Sequence, residues 1–361
     1  MLGTTRKMDR RLTRLAAFPS GLCAAGVIAG IGLLASGPAM ALAFDFISIN
    51  VPGATSTTLT GINNAGYISG TIVESGVEKG FVRAPDGTIA TFSVDGLPTF
   101  TGAINDHGQV VGYVSGTLGF VRDADGSVTT FAIPSAGEAL GINNSGAVVG
   151  YSQGSVTVGF LRSPGGVFTD INDPASSSNT VAQGINNLGE IVGNIDSQTS
   201  AFVRDSSGVF TDFQFPGAIG QTAAFGINEK GDVVGFYDIL NNRGFLRLAD
   251  GTFQTIDYPE AGVGTQVWDI NDSEEMVGNF GLPDAITNGF LAIPIHAAPE
   301  PATLAVFGIG LAGLAILRRR RLSKYPKDAG QYPRTRSCAR GQKGGPRRRE
   351  RGALPRRGGA A

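Results

Sequence analysis

The sequence predicts an all-β fold, a six-bladed β-propeller closed by its N-terminal strand, with a signal peptide before it and a C-terminal transmembrane sorting helix after it. Three observations predict it. The dipeptide Ile-Asn recurs at Ile62-Asn63, Ile104-Asn105, Ile142-Asn143, Ile185-Asn186, Ile227-Asn228 and Ile270-Asn271, which sets a unit of about forty residues. Glycine follows each asparagine at fixed offsets: Gly66, Gly108, Gly146, Gly189 and Gly231 three residues on, with Glu274 in the sixth unit, and Gly70, Gly112, Gly150, Gly193, Gly235 and Gly278 seven residues on. The array opens with a spare strand and ends one strand short.

Each unit resolves into four short strands. Asparagine at the first place of a turn and glycine at the fourth is the chemistry of a type I β-turn, in which the amide bonds the turn backbone and glycine accepts positive φ. A β-rich run follows, as in Gln109-Val-Val-Gly-Tyr113 or Asp232-Val-Val-Gly-Phe236. The next strand carries Phe81, Phe120, Phe160, Phe202, Phe245 or Phe290 and ends in Asp86-Gly87, Asp125-Gly126, Gly165-Gly166, Ser207-Gly208 or Asp250-Gly251, dipeptides favoured in hairpins. A last strand such as Thr255-Ile256-Asp-Tyr258 completes the unit. Four antiparallel strands per repeat make one propeller blade.

The stretch from Phe44 to Val51 reads as an outer strand with no blade of its own, and the sixth unit stops at Phe290–Pro294 without one. Pairing the two completes six blades and removes the open edge. An open β-solenoid, or a ring of five or seven blades, is the competing arrangement; a solenoid needs capping units, which the sequence lacks.

Outside the repeats the chain reads as an address. Residues 1–43 form a signal peptide: Arg6, Lys7, Arg10, Arg11 and Arg14, an apolar stretch from Leu22 to Ser36, and small-x-small cleavage sites ending at Ala41 and Ala43. Residues 44–295 are the propeller, and 296–301 a linker ending in Pro299-Glu300-Pro301. Residues 302–321 are a transmembrane sorting helix with its Arg318, Arg319, Arg320 and Arg321 cluster; the apolar part, 302–317, is roughly 24 Å long at 1.5 Å per residue. That falls short of a hydrocarbon core of about 30 Å, a gap that snorkelling arginines narrow. The arginines belong on the cytoplasmic side, with the body outside. The basic tail 322–361 lacks apolar periodicity and is expected to be disordered.

This tripartite C-terminus resembles the PEP-CTERM sorting signal of Gram-negative bacteria that make extracellular polysaccharide. The resemblance implies recognition by an exosortase, a membrane protease-transpeptidase that removes the helix, so that the membrane is occupied only transiently and the product is secreted or held at the cell surface. The Gly-Ile-Asn-x-x-Gly-x-Val-Val-Gly core is similar to the HAF family of extracellular repeats, a propeller-like class with no general biochemical assignment.

Charge and composition narrow the function. Residues 44–298 carry a net charge of −18, so nucleic acid is not an expected partner. The two cysteines, Cys23 and Cys338, both lie outside the repeats, which excludes disulfides, cysteine–zinc sites and a thiol nucleophile in the body. Histidine is reduced to His107, at a variable turn position, and His296 in the linker. Asp123-Ala-Asp125-Gly126 is similar to a calcium loop but has too few carboxylates; no cofactor is expected, Ca2+ being the single cation considered. Gly308-Ile-Gly310-Leu-Ala-Gly313 spells a dinucleotide fingerprint without the strand that must precede it.

Two repeated polar features have structural and functional readings. Arg83, Arg122, Arg162, Arg204 and Arg247 stand two residues after the blade phenylalanines and share a strand face, as one structural arginine per blade bonded to a carboxylate or carbonyl of a neighbour, or as a ring gripping an anionic glycan. The six asparagines form turns or line the axial channel. The least repeat-like polar cluster, Trp268, Asp269, Asn271, Asp272, Glu274 and Glu275, is the candidate ligand or cation site. The expected function is a non-enzymatic surface or matrix protein that binds extracellular polysaccharide or envelope proteins. The alternative is a carbohydrate-active enzyme working through paired carboxylates.

Overall fold

The computed structural model describes residues 42–295, apart from 115, 239, 241, 263 and 282–286. Residues 1–41 of the expected 1–43 leader, the linker residues 296–301, the sorting helix and the tail lie outside the described residues, whereas Leu42 hydrogen-bonds Gln254 and Ala43 opens the first strand. Among those described, no helix is long and apolar enough to cross a membrane.

Six four-stranded antiparallel sheets make the blades. Blade one runs outward from the axis as Ser56–Ile62, Ile68–Glu74, Val77–Arg83 and Ile89–Phe92. Blades two to five repeat the order over residues 99–132, 136–171, 180–213 and 222–256. Blade six takes Thr265–Ile270, Met276–Gly281 and Thr287–Ile295 from the end of the array and Ala43–Ile49 from its start. The closing strand pairs antiparallel with its neighbour over seven positions, from Ala43 opposite Ile295 to Ile49 opposite Gly289. The ring is therefore shut by the two ends of the repeat array, as the missing strand predicted.

The glycine seven residues after each asparagine has a packing reason. Gly70, Gly112, Gly150, Gly193, Gly235 and Gly278 stand directly opposite the six blade phenylalanines on the next strand. Those rings are buried to within 2% and lie across the strand, where only a residue without a Cβ leaves room. At Gly112 a Cβ would sit 2.2 Å from the Phe100 carbonyl oxygen and 2.5 Å from the Phe120 ring. Gly112→Ala is expected to destabilise the fold by about 3 kcal/mol through overpacking, measured by denaturant unfolding; a loss under about 1 kcal/mol would mean the strand has space that this packing denies.

Separate apolar clusters bridge the seams between neighbouring blades. Val111 of blade two packs with Ile133, Ala139, Ile142, Val148 and Phe160, and Val277 of blade six packs with Leu59, Ile62 and Phe81 of blade one. Successive blades therefore share apolar surface, which fixes the innermost strands around a common axis.

Candidate functional site

The turn asparagines fulfil both of their expected roles with different atoms. In blade one the Asn63 Oδ1 accepts the N–H groups of Ala65 and Tyr67, while Gly66 N–H donates to the Asn63 carbonyl. The Asn63 amide nitrogen is left free to reach the neighbouring blade, where it donates to the Asn105 carbonyl at 2.9 Å. The step repeats from Asn105 to Asn143, Asn186, Asn228 and Asn271, and Asn271 returns to Asn63, all at 3.0–3.3 Å. Six buried amides thus form a closed hydrogen-bonded ring.

A second ring lies one residue further on. The backbone N–H groups of Asn64, Asp106, Asn144, Asn187, Glu229 and Asp272 each donate to the side-chain oxygen of the following blade's residue, at 2.7–2.9 Å, and the last returns to the first. Three of the six side chains are carboxylates, Asp106, Glu229 and Asp272, and the donors shown to reach them are backbone or side-chain amide N–H groups. Neutral donors leave the negative charge in place.

Both rings border an axial cavity of about 100 Å³. Its wall is set by a β-bulge in the innermost strand of every blade, where the pairing register slips between Leu59 and Gly61, Thr101 and Ile104, Ala139 and Gly141, Ala182 and Gly184, Ala224 and Gly226, and Val267 and Asp269. A bulge leaves one residue unpaired and re-aims it. The residues it frees, among them Thr60, Leu140, Gln183, Phe225 and Trp268, line the cavity. They differ from blade to blade although the flanking residues repeat, so a symmetric frame carries an asymmetric lining.

Asp269 makes the sharpest departure. Its equivalents are Gly61, Ala103, Gly141, Gly184 and Gly226, small residues where the innermost strands crowd together. The Asp269 carboxylate fills this space and accepts the N–H of Ile62 at 2.9 Å and of Ile270 at 3.0 Å. Burial pushes its pKa up to about 7 despite those two donors, which favour the charged form. Beside it Trp268 stacks flat on Phe225, ring centres 4.3 Å apart, and the buried indole N–H has no acceptor among the described residues.

The sequence-derived cluster is thus divided by the fold. Trp268, Asp269, Asn271 and Asp272 line the cavity. Glu274 takes positive φ in place of the turn glycine and pairs with Lys230 at 2.6 Å, while Glu275 accepts the second amide hydrogen of Asn271 at 2.7 Å. Neither belongs to the cavity wall. Phe225, Gln183, Leu140 and Thr60 escaped the sequence reading; their signal was variation at one fixed offset, three residues before each asparagine.

Four of the five arginines lie against aromatic rings, partners the sequence did not indicate. Arg122, Arg162 and Arg247 place their guanidinium groups 4.9, 4.3 and 4.9 Å from the ring centres of Phe92, Phe131 and Phe213, each from the outermost strand of the preceding blade. Arg204 covers Phe210 of its own blade at 5.8 Å. Burial of Arg247 lowers its pKa, the direction expected of a cation held against aromatic carbon. These guanidinium groups are occupied by protein and take no part in the axial cavity.

Elsewhere the acids serve turns. Asp125 accepts the Ser127 N–H and hydroxyl, and Asp123 accepts from Gln109. Among the described residues no three His, Cys, Asp or Glu side chains converge as metal ligands. Asp173 and Asp212, from the outer edges of blades three and four, come together: partial burial and then the Asp173 carboxyl raise Asp212 to about 6. Neither lines the axial cavity. His107 is an exposed turn residue whose N–H bonds the Asn105 side chain.

Fold and site define a six-bladed propeller with an asparagine-ringed axial pocket. Residues 297–321 match the PEP-CTERM protein-sorting motif. That motif implies an exported protein, recognised by an exosortase, anchored transiently in the membrane and delivered to the surface or beyond it. No curated protein matches the chain. Among solved structures, virginiamycin B lyase from Staphylococcus aureus is 12% identical, with 70% of this chain and 100% of that chain covered and a TM-score of 0.48. The SapL1 lectin in complex with alpha methyl fucoside is 12% identical over 69% of this chain and 98% of its own, at a TM-score of 0.40. YCF48 bound to D1 peptide is 11% identical over 71% and 97%, at 0.42. Likenesses at this level bear on neither ligand nor reaction.

Proposed function

We propose that this protein is a non-enzymatic binding disc of a Gram-negative bacterium, sorted by an exosortase to the cell surface or extracellular matrix, where its axial pocket engages extracellular polysaccharide. The single observation that carries the binding role is the asymmetric lining of the axial cavity. Six near-identical blades build the frame, yet the bulged residues facing the axis include Thr60, Leu140, Gln183, Phe225 and Trp268. A purely structural ring has no need of such variety at one offset, whereas a site for an asymmetric ligand does. The sorting motif supports the destination. The small cavity suits a terminal or projecting group of a polysaccharide rather than a chain threaded along the axis.

The test is to incubate the released protein with the producer's own polysaccharide and follow both retention and polymer length. Retention with unchanged polymer length is expected, and substitution of Trp268 by Ala should reduce it. Polymer shortening that Asp or Glu substitutions abolish would replace this reading with the paired-carboxylate enzyme.

A further inference from the structure

Building on the axial pocket as a binding site, we infer that its ligand is a small amino alcohol, in the polysaccharide setting an amino sugar with a free amine. Three features converge on that chemistry. The first is charge. Asp269 lies in the wall, Asp106, Glu229 and Asp272 stand on the rim, and among the described residues no lysine or arginine lines the cavity. The nearest cation of the rim turns, Lys230, is held by Glu274 at 2.6 Å. An anionic group entering here meets unopposed negative charge, while a protonated amine is attracted.

The second feature is the unused bonding capacity of Asp269. Its carboxylate accepts one backbone N–H on each oxygen, and a carboxylate has room for further donors. A primary ammonium supplies them as charge-assisted bonds and offsets the cost of holding a carboxylate away from bulk water. The third is Trp268. Its indole N–H, covered by protein, has no acceptor among the described residues, and a hydroxyl oxygen of the ligand would complete it on a small shift of the ring. Ammonium and hydroxyl on one small molecule answer both groups. The stacked Trp268 and Phe225 rings provide an apolar surface of the kind on which the C–H face of a sugar rests.

The experiment uses the chain's only tryptophan as the reporter. Trp268 fluorescence is titrated with ethanolamine, ethylene glycol and glycolate, which are similar in size and differ in charge. Glucosamine and N-acetylglucosamine extend the comparison to sugars. Saturable binding of ethanolamine and glucosamine is expected, with glycolate inert and the two neutral compounds at least about tenfold weaker, the ratio of a charged to a lost hydrogen bond. Asp269→Asn should weaken ethanolamine by a similar factor. Should that variant fold poorly, the comparison of ethanolamine with ethylene glycol on the unsubstituted protein decides alone. Equal response to ethanolamine and ethylene glycol, or binding of N-acetylglucosamine without glucosamine, overturns the amino-alcohol assignment and leaves the pocket as a binding site for neutral sugars. Silence toward all five probes overturns the assignment, and if the polysaccharide is also not retained, the binding role falls with it.

Discussion

Removing Ala43–Ile49 is expected to abolish cooperative folding of the disc. This strand supplies the outer edge of blade six through seven paired positions along Thr287–Ile295. It buries Ile49 and packs Phe46 against Tyr258 and Phe290, with ring centres 5.7 Å apart in both contacts. Burying an Ile or Phe contributes about 1.5–3 kcal/mol per side chain. Phe46 is only partly buried, but with the lost pairing added the sum comes near the low end of the roughly 5–15 kcal/mol that separates a folded domain from the unfolded chain. The deletion also exposes a nine-residue edge, Thr287–Ile295, as a template for association. Circular dichroism and denaturant titration of the shortened protein should show a broad, early transition or aggregation, and a synthetic peptide of residues 43–49 added in trans should restore part of the loss. A sharp transition at the unaltered midpoint would mean that the ring does not depend on its clasp.

The pH dependence of stability should be dominated near neutrality by Asp269. Its folded pKa of about 7 lies above the ordinary value of 3.8. The folded state therefore holds this proton more tightly than the unfolded state does, so acid favours the fold and stability falls as pH rises from about 4 to about 7. A shift of this size corresponds to about 4 kcal/mol at most, at about 1.4 kcal/mol per unit. Asp212, raised to about 6, adds to the fall over its lower part. Asp86, Asp125, Asp205 and Asp250 are lowered, chiefly by hydrogen bonds from Thr88, Ser127, Ser207 and Thr252, so their contributions are lost only in more acidic solution. Unfolding midpoints between pH 5 and 8 should decline in the unsubstituted protein, and Asp269→Asn should flatten the part above pH 6. A variant with the same slope would assign the titration to another group.

Much of the frame was legible because each repeated residue answers a local demand. Asn63 and Gly66 are required by one turn, Gly70 by one ring, and Asp86-Gly87 by one hairpin; six copies made these demands readable. Closure was readable as a deficit of one strand. The site was less so. Trp268 and Glu275 are close in sequence, yet the turn at Asn271 directs the first to the axis and the second to the asparagine amide. Strand periodicity put the five arginines on a shared face, but it does not say that Phe92 or Phe131 of the preceding blade will meet them. The bulges were hidden because an extra residue in a strand has no composition of its own. Thr60, Leu140, Gln183, Phe225 and Trp268 share a geometry and no chemistry.

Order and composition of the residues pointed to six blades, to the strand that shuts the ring and to the C-terminal signal that sends the protein outward, since turns, strand counts and sorting motifs are all properties of contiguous chain; that the copies close into a ring of six was decided by the fold. The axial pocket belongs to the closed ring alone. Asp269 meets the Ile62 N–H across 207 residues of sequence, and Asn271 meets Asn63 across 208. No local segment contains an axis; it exists only once the innermost strands of all six blades are brought side by side, and with it comes the carboxylate that burial holds near neutrality.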